Sequence, residues 1–183
     1  MSCALLGTVN RECGPAVHDD LCTVTDENGR VRHVFTPASA NRLWLTDITE
    51  HNTGEGKLYL CAIKDVYSGR IVGYSIDSRM KSKLAVVALE NEIRMRGDVS
   101  GCTLHSDRGS QFRSRKLRRA LTRHHMIGSM GRVASCGDNA VMESFFALLQ
   151  KNVLNRRSWA TRGSSPGSSA LTTGAADRPA SAG

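Results

Sequence analysis

Three carboxylates stand in sequence surroundings that suit chemistry. Asp47 lies within Trp44-Leu45-Thr46-Asp47-Ile48-Thr49, and Asp107 within His105-Ser106-Asp107-Arg108-Gly109-Ser110-Gln111. Glu143 follows Asn139-Ala140-Val141-Met142 and precedes Ser144-Phe145-Phe146. An acid inside an apolar strand is costly to bury unless it is paired or metal-bound, which makes Asp47 the most conspicuous. Two or three carboxylates supply hard oxygen ligands. Such a set suits Mg²⁺ or Mn²⁺, ions that keep water and phosphate oxygens in their remaining positions. Each acid also has a plain structural reading. Asp47 could be an edge or turn acid, Asp107 a turn former ahead of Arg108-Gly109, and Glu143 a solvated helix acid. Asp65 reads as a turn acid only. His51 and His105 are site neighbours by position, although a lone histidine is more often a packed or surface residue.

The elements that must position these acids follow from periodicity. Residues 43–49, 58–64 and 70–76 read as strands, the last two joined through a short turn at 65–69, so an antiparallel meander is expected. Residues 83–96 form a helix with Leu84, Val87, Ala88 and Met95 on one face and Gly97 as its stop. A short strand at 103–106 runs into Asp107. A helix at 114–125 turns Leu117, Ala120, Leu121 and His124 to one side, and a further short strand covers 127–130. Asp138 or Asn139 can cap a last helix at 140–154. In that helix Met142, Phe145, Leu149 and Val153 make the core stripe. Glu143 sits about a quarter turn away, in line with Asn139, Ala147 and Gln150. The order predicts an α/β layer on a mixed sheet.

Composition bounds the function. The 183 residues carry 25 Lys and Arg against 17 Asp and Glu, a formal net charge of +8, which favours a polyanionic partner such as nucleic acid. Arg108, Arg113, Arg115, Lys116, Arg118, Arg119 and Arg123 crowd behind Asp107, as a solvated face or a phosphate-contacting surface. No apolar run reaches the roughly 20 residues that cross a bilayer, and the first residues lack the basic start and cleavage site of a signal peptide. Six dispersed cysteines without a CxxC read as reduced thiols in a cytoplasmic protein. Leu21–Thr25 and Arg30–Phe35 flank Asn28-Gly29, whose positive φ angles suit a tight hairpin turn. Three regions are expected: an N-terminal extension with a β-hairpin at 1–40, a core at 41–158, and a disordered Gly/Ala/Ser-rich tail at 159–183.

The strings LWLTDIT, LYLCAIKDVYSGRIVGYSI, HSDRGSQF and GDNAVMESFFALLQ resemble the catalytic core of bacterial insertion-sequence transposases. These are the two-reading-frame elements with a retroviral-integrase-like DDE domain. Asp107 and Glu143 have 35 residues between them, as in that family's signature. The resemblance implies a ribonuclease H-like fold, a mixed five-stranded sheet flanked by helices. It also implies that Asp47, Asp107 and Glu143 are the catalytic triad, holding two Mg²⁺ or Mn²⁺ ions for DNA nicking and strand transfer. Implied DNA contacts are Arg108, Arg113, Arg115, Lys116, Arg119, Gln150 and Lys151, with His105 and Asn139 beside the site. Implied partners are DNA, as element ends and target, with self-association or the product of an upstream frame; the location is the bacterial nucleoid, with no membrane. Seven residues after Glu143 the family often carries Lys or Arg, where this sequence has Gln150. Both ends also depart from the family pattern, so a truncated or frameshifted copy with little strand transfer is expected. The alternatives are an inactive remnant that binds DNA or partner subunits, and a nuclease of the same fold.

Overall fold

The computed structural model describes residues 14–131 and 140–152. The chain opens with a two-stranded ribbon, β1 (Thr23–Thr25) and β2 (Val31–His33). A five-stranded sheet follows, built from β3 (Leu43–Thr53), β4 (Gly56–Asp65), β5 (Ile71–Asp77), β6 (Thr103–Ser106) and β7 (Ile127–Met130). Helix α1 (Ser82–Arg96) links β5 to β6, α2 (Arg115–Arg123) links β6 to β7, and α3 (Ala140–Asn152) comes last. The spatial order is β5-β4-β3-β6-β7. β3, β4 and β5 pair antiparallel, while β6 lies parallel to β3 and β7 parallel to β6. The two helical crossovers permit the parallel half; the short turns dictate the antiparallel half.

Both faces of the sheet are covered. On one, Trp44, Ile48, Cys61, Ile63 and Leu104 pack against Leu84, Ala88 and Leu89 of α1 and Leu117 and Leu121 of α2. On the other, Leu45 and Ala62 meet Met142 and Phe146 of α3. β3 is the central strand and serves both cores, hence its run of six buried residues from Leu43 to Ile48.

Several expectations shift in detail. β3 continues past residue 49 to Thr53, because polar residues there form a half-exposed hairpin arm stitched by a Lys57–Glu50 ion pair at 2.7 Å. The ribbon's turn is not the tight Asn-Gly type. Only Gly29 has positive φ (75°), and the Asp26 carboxylate instead accepts the Asn28 and Arg30 N–H groups, making a three-residue loop. In α1 Leu84 and Ala88 are buried as expected, but the buried face extends to Ala85, Leu89, Glu92 and Ile93, while Val87 is half-buried and Met95 is 84% exposed. Gly73 of β5 lets α1 approach closely: a Cβ there would lie 2.7 Å from the Ala88 carbonyl oxygen.

In α2, Leu117, Ala120 and Leu121 are buried as expected, and Ser114 caps the helix by accepting the Leu117 N–H at 3.2 Å. In α3, Phe146 joins Met142 as the buried pair, while Phe145 and Leu149 are half-buried. Val153, the expected capping residues Asp138 and Asn139, and the tail at 159–183 lie outside the described residues. Asp65 is the turn acid expected, and it is fully buried. One of its oxygens accepts the Asn41 N–H at 3.2 Å, and the other accepts the Ser68 N–H and hydroxyl. Cys22, Cys61 and Cys102 are buried thiols, and burial pushes the Cys102 pKa up to about 12.

Candidate active site

Asp47 is buried in the middle of β3, 8% exposed, and its Oδ1 accepts the Ile48 N–H at 2.7 Å. Side chains alternate along a strand, so Asp47 shares the face of Leu45 and His51, the face that α3 covers. Asp47 lies within β3, paired with Ala62 of β4, rather than in a turn.

The parallel pairing of β3 with β6 carries the next step. Leu43 pairs with Thr103, Trp44 with Leu104 and Leu45 with His105, a constant offset of 60. The pairing ends there; carried two residues further, the same offset would bring Asp47 level with Asp107. β6 itself ends at Ser106, and Asp107 Oδ1 accepts the Gly109 N–H at 2.9 Å. Asp107 is thus a turn former as well, directly after the end of β6. His105, two residues earlier, is buried. Its Nδ1 lies 2.9 Å from Ser129 Oγ, which also accepts the Leu21 N–H, and its ring meets Phe35 edge-on. Neither Ser129 nor Phe35 carried a sequence signal, since each is an ordinary residue in an ordinary context.

Glu143 occupies the first turn of α3 next to the buried Met142 and is exposed. Met142 and Phe146 pack on Leu45 and Ala62, and Ala62 is the cross-strand partner of Asp47. Glu143 therefore belongs to the end of α3 that lies nearest Asp47. Among the described residues, no three His, Cys, Asp or Glu side chains are gathered closely enough to hold a metal ion. The structure puts Asp47 in β3, Asp107 just past the end of β6 and Glu143 in the covering helix, without closing the three into one cluster.

The expected DNA contacts divide. Arg108 and Arg113 are half-buried and tied to the backbone: Arg108 Nε donates to the Gly131 carbonyl at 2.9 Å and Arg113 Nε to the Arg108 carbonyl at 3.0 Å. Arg115, Lys116 and Arg119 are exposed on α2. That helix packs in the layer opposite α3, so the basic face adjoins the site only through the short loop from Asp107 to Ser114. Arg123 is engaged with Glu90 at 3.1 Å. Gln150 is half-buried and bonds to His51, while Lys151 is exposed. Asn139 lies outside the described residues. Among the described residues no helix is long and apolar enough to cross a membrane.

An acid in mid-strand register with a second at the end of its parallel neighbour, under a helix bearing a third, belongs to a known class. Residues 37–136 match the integrase core domain, just over half of the chain, and the protein belongs to that family. The matched span includes Asp47 and Asp107 and stops before Glu143. Among its relatives, the chain is 38% identical over 125 residues to an uncharacterized 31 kDa protein of insertion element IS600 from Shigella sonnei, covering 68% of this chain and 46% of that one. It is 35% identical over 132 residues to the transposase for insertion sequence element IS904 of Lactococcus lactis, covering 72% and 52%. The chain spans about half the length of the curated relatives it matches.

Two solved structures share the fold. One is the simian T-cell lymphotropic virus intasome in complex with PP2A regulatory subunit B56 gamma, with TM-score 0.59 and 19% identity over 80% of this chain and 48% of that one. The other is the HTLV-2 integrase catalytic core domain in complex with magnesium, with TM-score 0.52 and 22% identity over 65% and 73%. The fold is the ribonuclease H-like, retroviral integrase type.

Proposed function

We propose that this domain is the catalytic core of a transposase, cutting and joining DNA strands with Asp47, Asp107 and Glu143 as its acids. The observation that supports the reading is that Asp47 lies buried within β3 while the parallel neighbour of that strand, β6, runs directly into Asp107. Their oxygens fit Mg²⁺ or Mn²⁺, as does the carboxylate of Glu143 from the covering helix, and magnesium accompanies the HTLV-2 core domain. When bound, such ions would lower the pKa of an attacking water or 3′-hydroxyl and stabilise the leaving 3′-oxygen.

The chain's own residues have simpler tasks. Asp47, held by its bond to the Ile48 N–H and by the pairing of its strand with β4, is the fixed ligand. Asp107 is fixed by its turn, and Glu143 completes the set from α3. Arg115, Lys116, Arg119 and Lys151 offer exposed positive charge to DNA phosphates, which gives affinity without sequence reading. The DNA substrates are element ends and target. Association with further copies, or with the product of an upstream frame, would supply end recognition.

The test is thermal denaturation with Mg²⁺ or Mn²⁺, alongside a Mn²⁺-dependent nicking assay. A ligand at 100 times its Kd stabilises by about 2.7 kcal/mol, so the wild type should melt several degrees higher with metal. Asp107→Asn keeps the shape and removes a charged ligand, so both the shift and the nicking should vanish. Equal shifts in wild type and variant would overturn the assignment, and DNA binding without either would leave a binding-only domain.

A further inference from the structure

Gln150 stands seven residues after Glu143. Seven residues at 100° each return the helix to within about 20° of the same line, two turns further along. Its carboxamide, half-buried, donates from Nε2 to His51 Nδ1 at 3.1 Å. His51 in turn lies four residues after Asp47 on β3, on the same face of the sheet. On the helix the step from Glu143 to Gln150 is about 10.5 Å, and on the strand the step from Asp47 to His51 is about 13 Å. The two spans nearly match. Together with Met142 and Phe146 on Leu45 and Ala62, the bond gives α3 two anchor points on the central region of the sheet. Both anchors require α3 to run alongside β3 in the same direction.

We propose that the His51–Gln150 hydrogen bond is a positioning contact, fixing α3 along β3 and thereby setting where Glu143 stands relative to Asp47. The inference rests on the metal-binding reading of the three acids. It assigns Gln150 a role inside the domain, toward β3 rather than toward DNA. The positioning matters because Glu143 is otherwise an exposed residue in a first helical turn. One apolar anchor leaves a helix free to pivot, and a second, polar and directional, removes that freedom. Removing either partner should let the first turn of α3 drift from Asp47 without unfolding the domain, since the sheet and its opposite layer do not depend on the bond.

The test uses the full chain and four forms: wild type, His51→Ala, Gln150→Ala and the double variant, with His51→Asn as the conservative control. Asparagine places its Oδ1 where Nδ1 stands and can still accept from the carboxamide. Amide hydrogen exchange of the metal-free protein reads the anchoring of α3. Electron paramagnetic resonance of free Mn²⁺ reads metal affinity. The expected result is faster exchange in α3 for both alanine variants, no further change in the double, and Mn²⁺ affinity lowered about 5-fold, the worth of one neutral hydrogen bond. His51→Asn should stay within about twofold of wild type. In nicking, kcat should fall while KM for DNA holds. Unchanged α3 exchange in both single variants overturns the anchoring, and so does a Gln150→Ala defect confined to KM with His51→Ala normal. Faster exchange with no Mn²⁺ binding even in the wild type overturns the metal reading, and with it the claim that the anchor serves Glu143.

Discussion

Glu92 shows what a buried acid costs this fold when no function is assigned to it. It is 3% exposed on the inner face of α1, and burial raises its pKa above the ordinary carboxylate value, with Arg96 opposing that shift through a charge-assisted bond. Arg96 also donates to Asn41 Oδ1 at 2.8 Å, and the Asn41 N–H reaches Asp65, so one polar chain ties α1 to the start of β3 and the end of β4. Because the folded pKa lies above the unfolded one, the fold favours the protonated form. That contribution is complete below the unfolded pKa and is lost as pH rises through the folded value. Glu92→Gln keeps the acceptor for Arg96 and has no charge to desolvate. Its melting temperature relative to wild type should therefore rise from pH 4 to pH 8, and melting curves across that range check it. A difference that stays flat or falls would show that the Arg96 bond outweighs the burial.

Helix α2 is the element whose placement changes the functional picture most. Its apolar stripe of Leu117, Ala120 and Leu121 was legible from spacing, because that is a local signal. Which layer it joins was not legible. Periodicity tells that a helix has an inner face and not which face of the sheet receives it. The same limit hid the full width of the inner face of α1: Ala85 and Ile93 are buried, whereas Met95 is exposed. The acids followed the opposite rule. Asp47, Asp107 and Glu143 stood out in sequence through neighbours and spacing, but the parallel pairing of β3 with β6, the strand that leads into Asp107, is a long-range contact visible only in the folded sheet. Since α2 packs opposite α3, its exposed Arg115, Lys116 and Arg119 form a face that DNA can reach without entering the acid site. Replacing the three with alanine should flatten the slope of log affinity against log salt by up to roughly 2–3, about 0.9 for each phosphate no longer neutralised. Nicking at saturating DNA should change little. Filter binding at several salt concentrations measures the slope, and an unaltered slope would move the DNA surface elsewhere.

At the scale of the whole molecule, the sheet has two edges, and one is covered by the chain's own beginning. The segment from Ala16 to Leu21 runs beside β7, where the Asp19 carbonyl accepts the Met130 N–H at 3.1 Å and Ser129 Oγ accepts the Leu21 N–H at 2.9 Å. Such a cover protects an edge strand from pairing with another chain. His18 sits at its centre. Its ring lies where any side chain at Gly128 would be, with a would-be Cβ only 2.5 Å from Nε2, and that buried nitrogen has no hydrogen-bond partner among the described residues. Burial, then the Arg118 charge, lower the His18 pKa, and Asp19 opposes them. A histidine with a depressed folded pKa contributes stability that is present above its unfolded pKa and is lost as pH falls through the folded value. Acidification should therefore loosen the segment from β7 through the mildly acidic range. The quantity that isolates His18 is the difference between wild type and His18→Gln, which is neutral throughout. That difference should favour wild type more at pH 7.5 than at pH 5, with each 1 kcal/mol shifting Tm by roughly 2–4 °C. Light scattering at the same pH values should show wild type associating first as the edge of β7 becomes available. If the Tm difference is independent of pH, His18 does not control the cover, and the backbone bonds at Asp19 and Leu21 hold it alone.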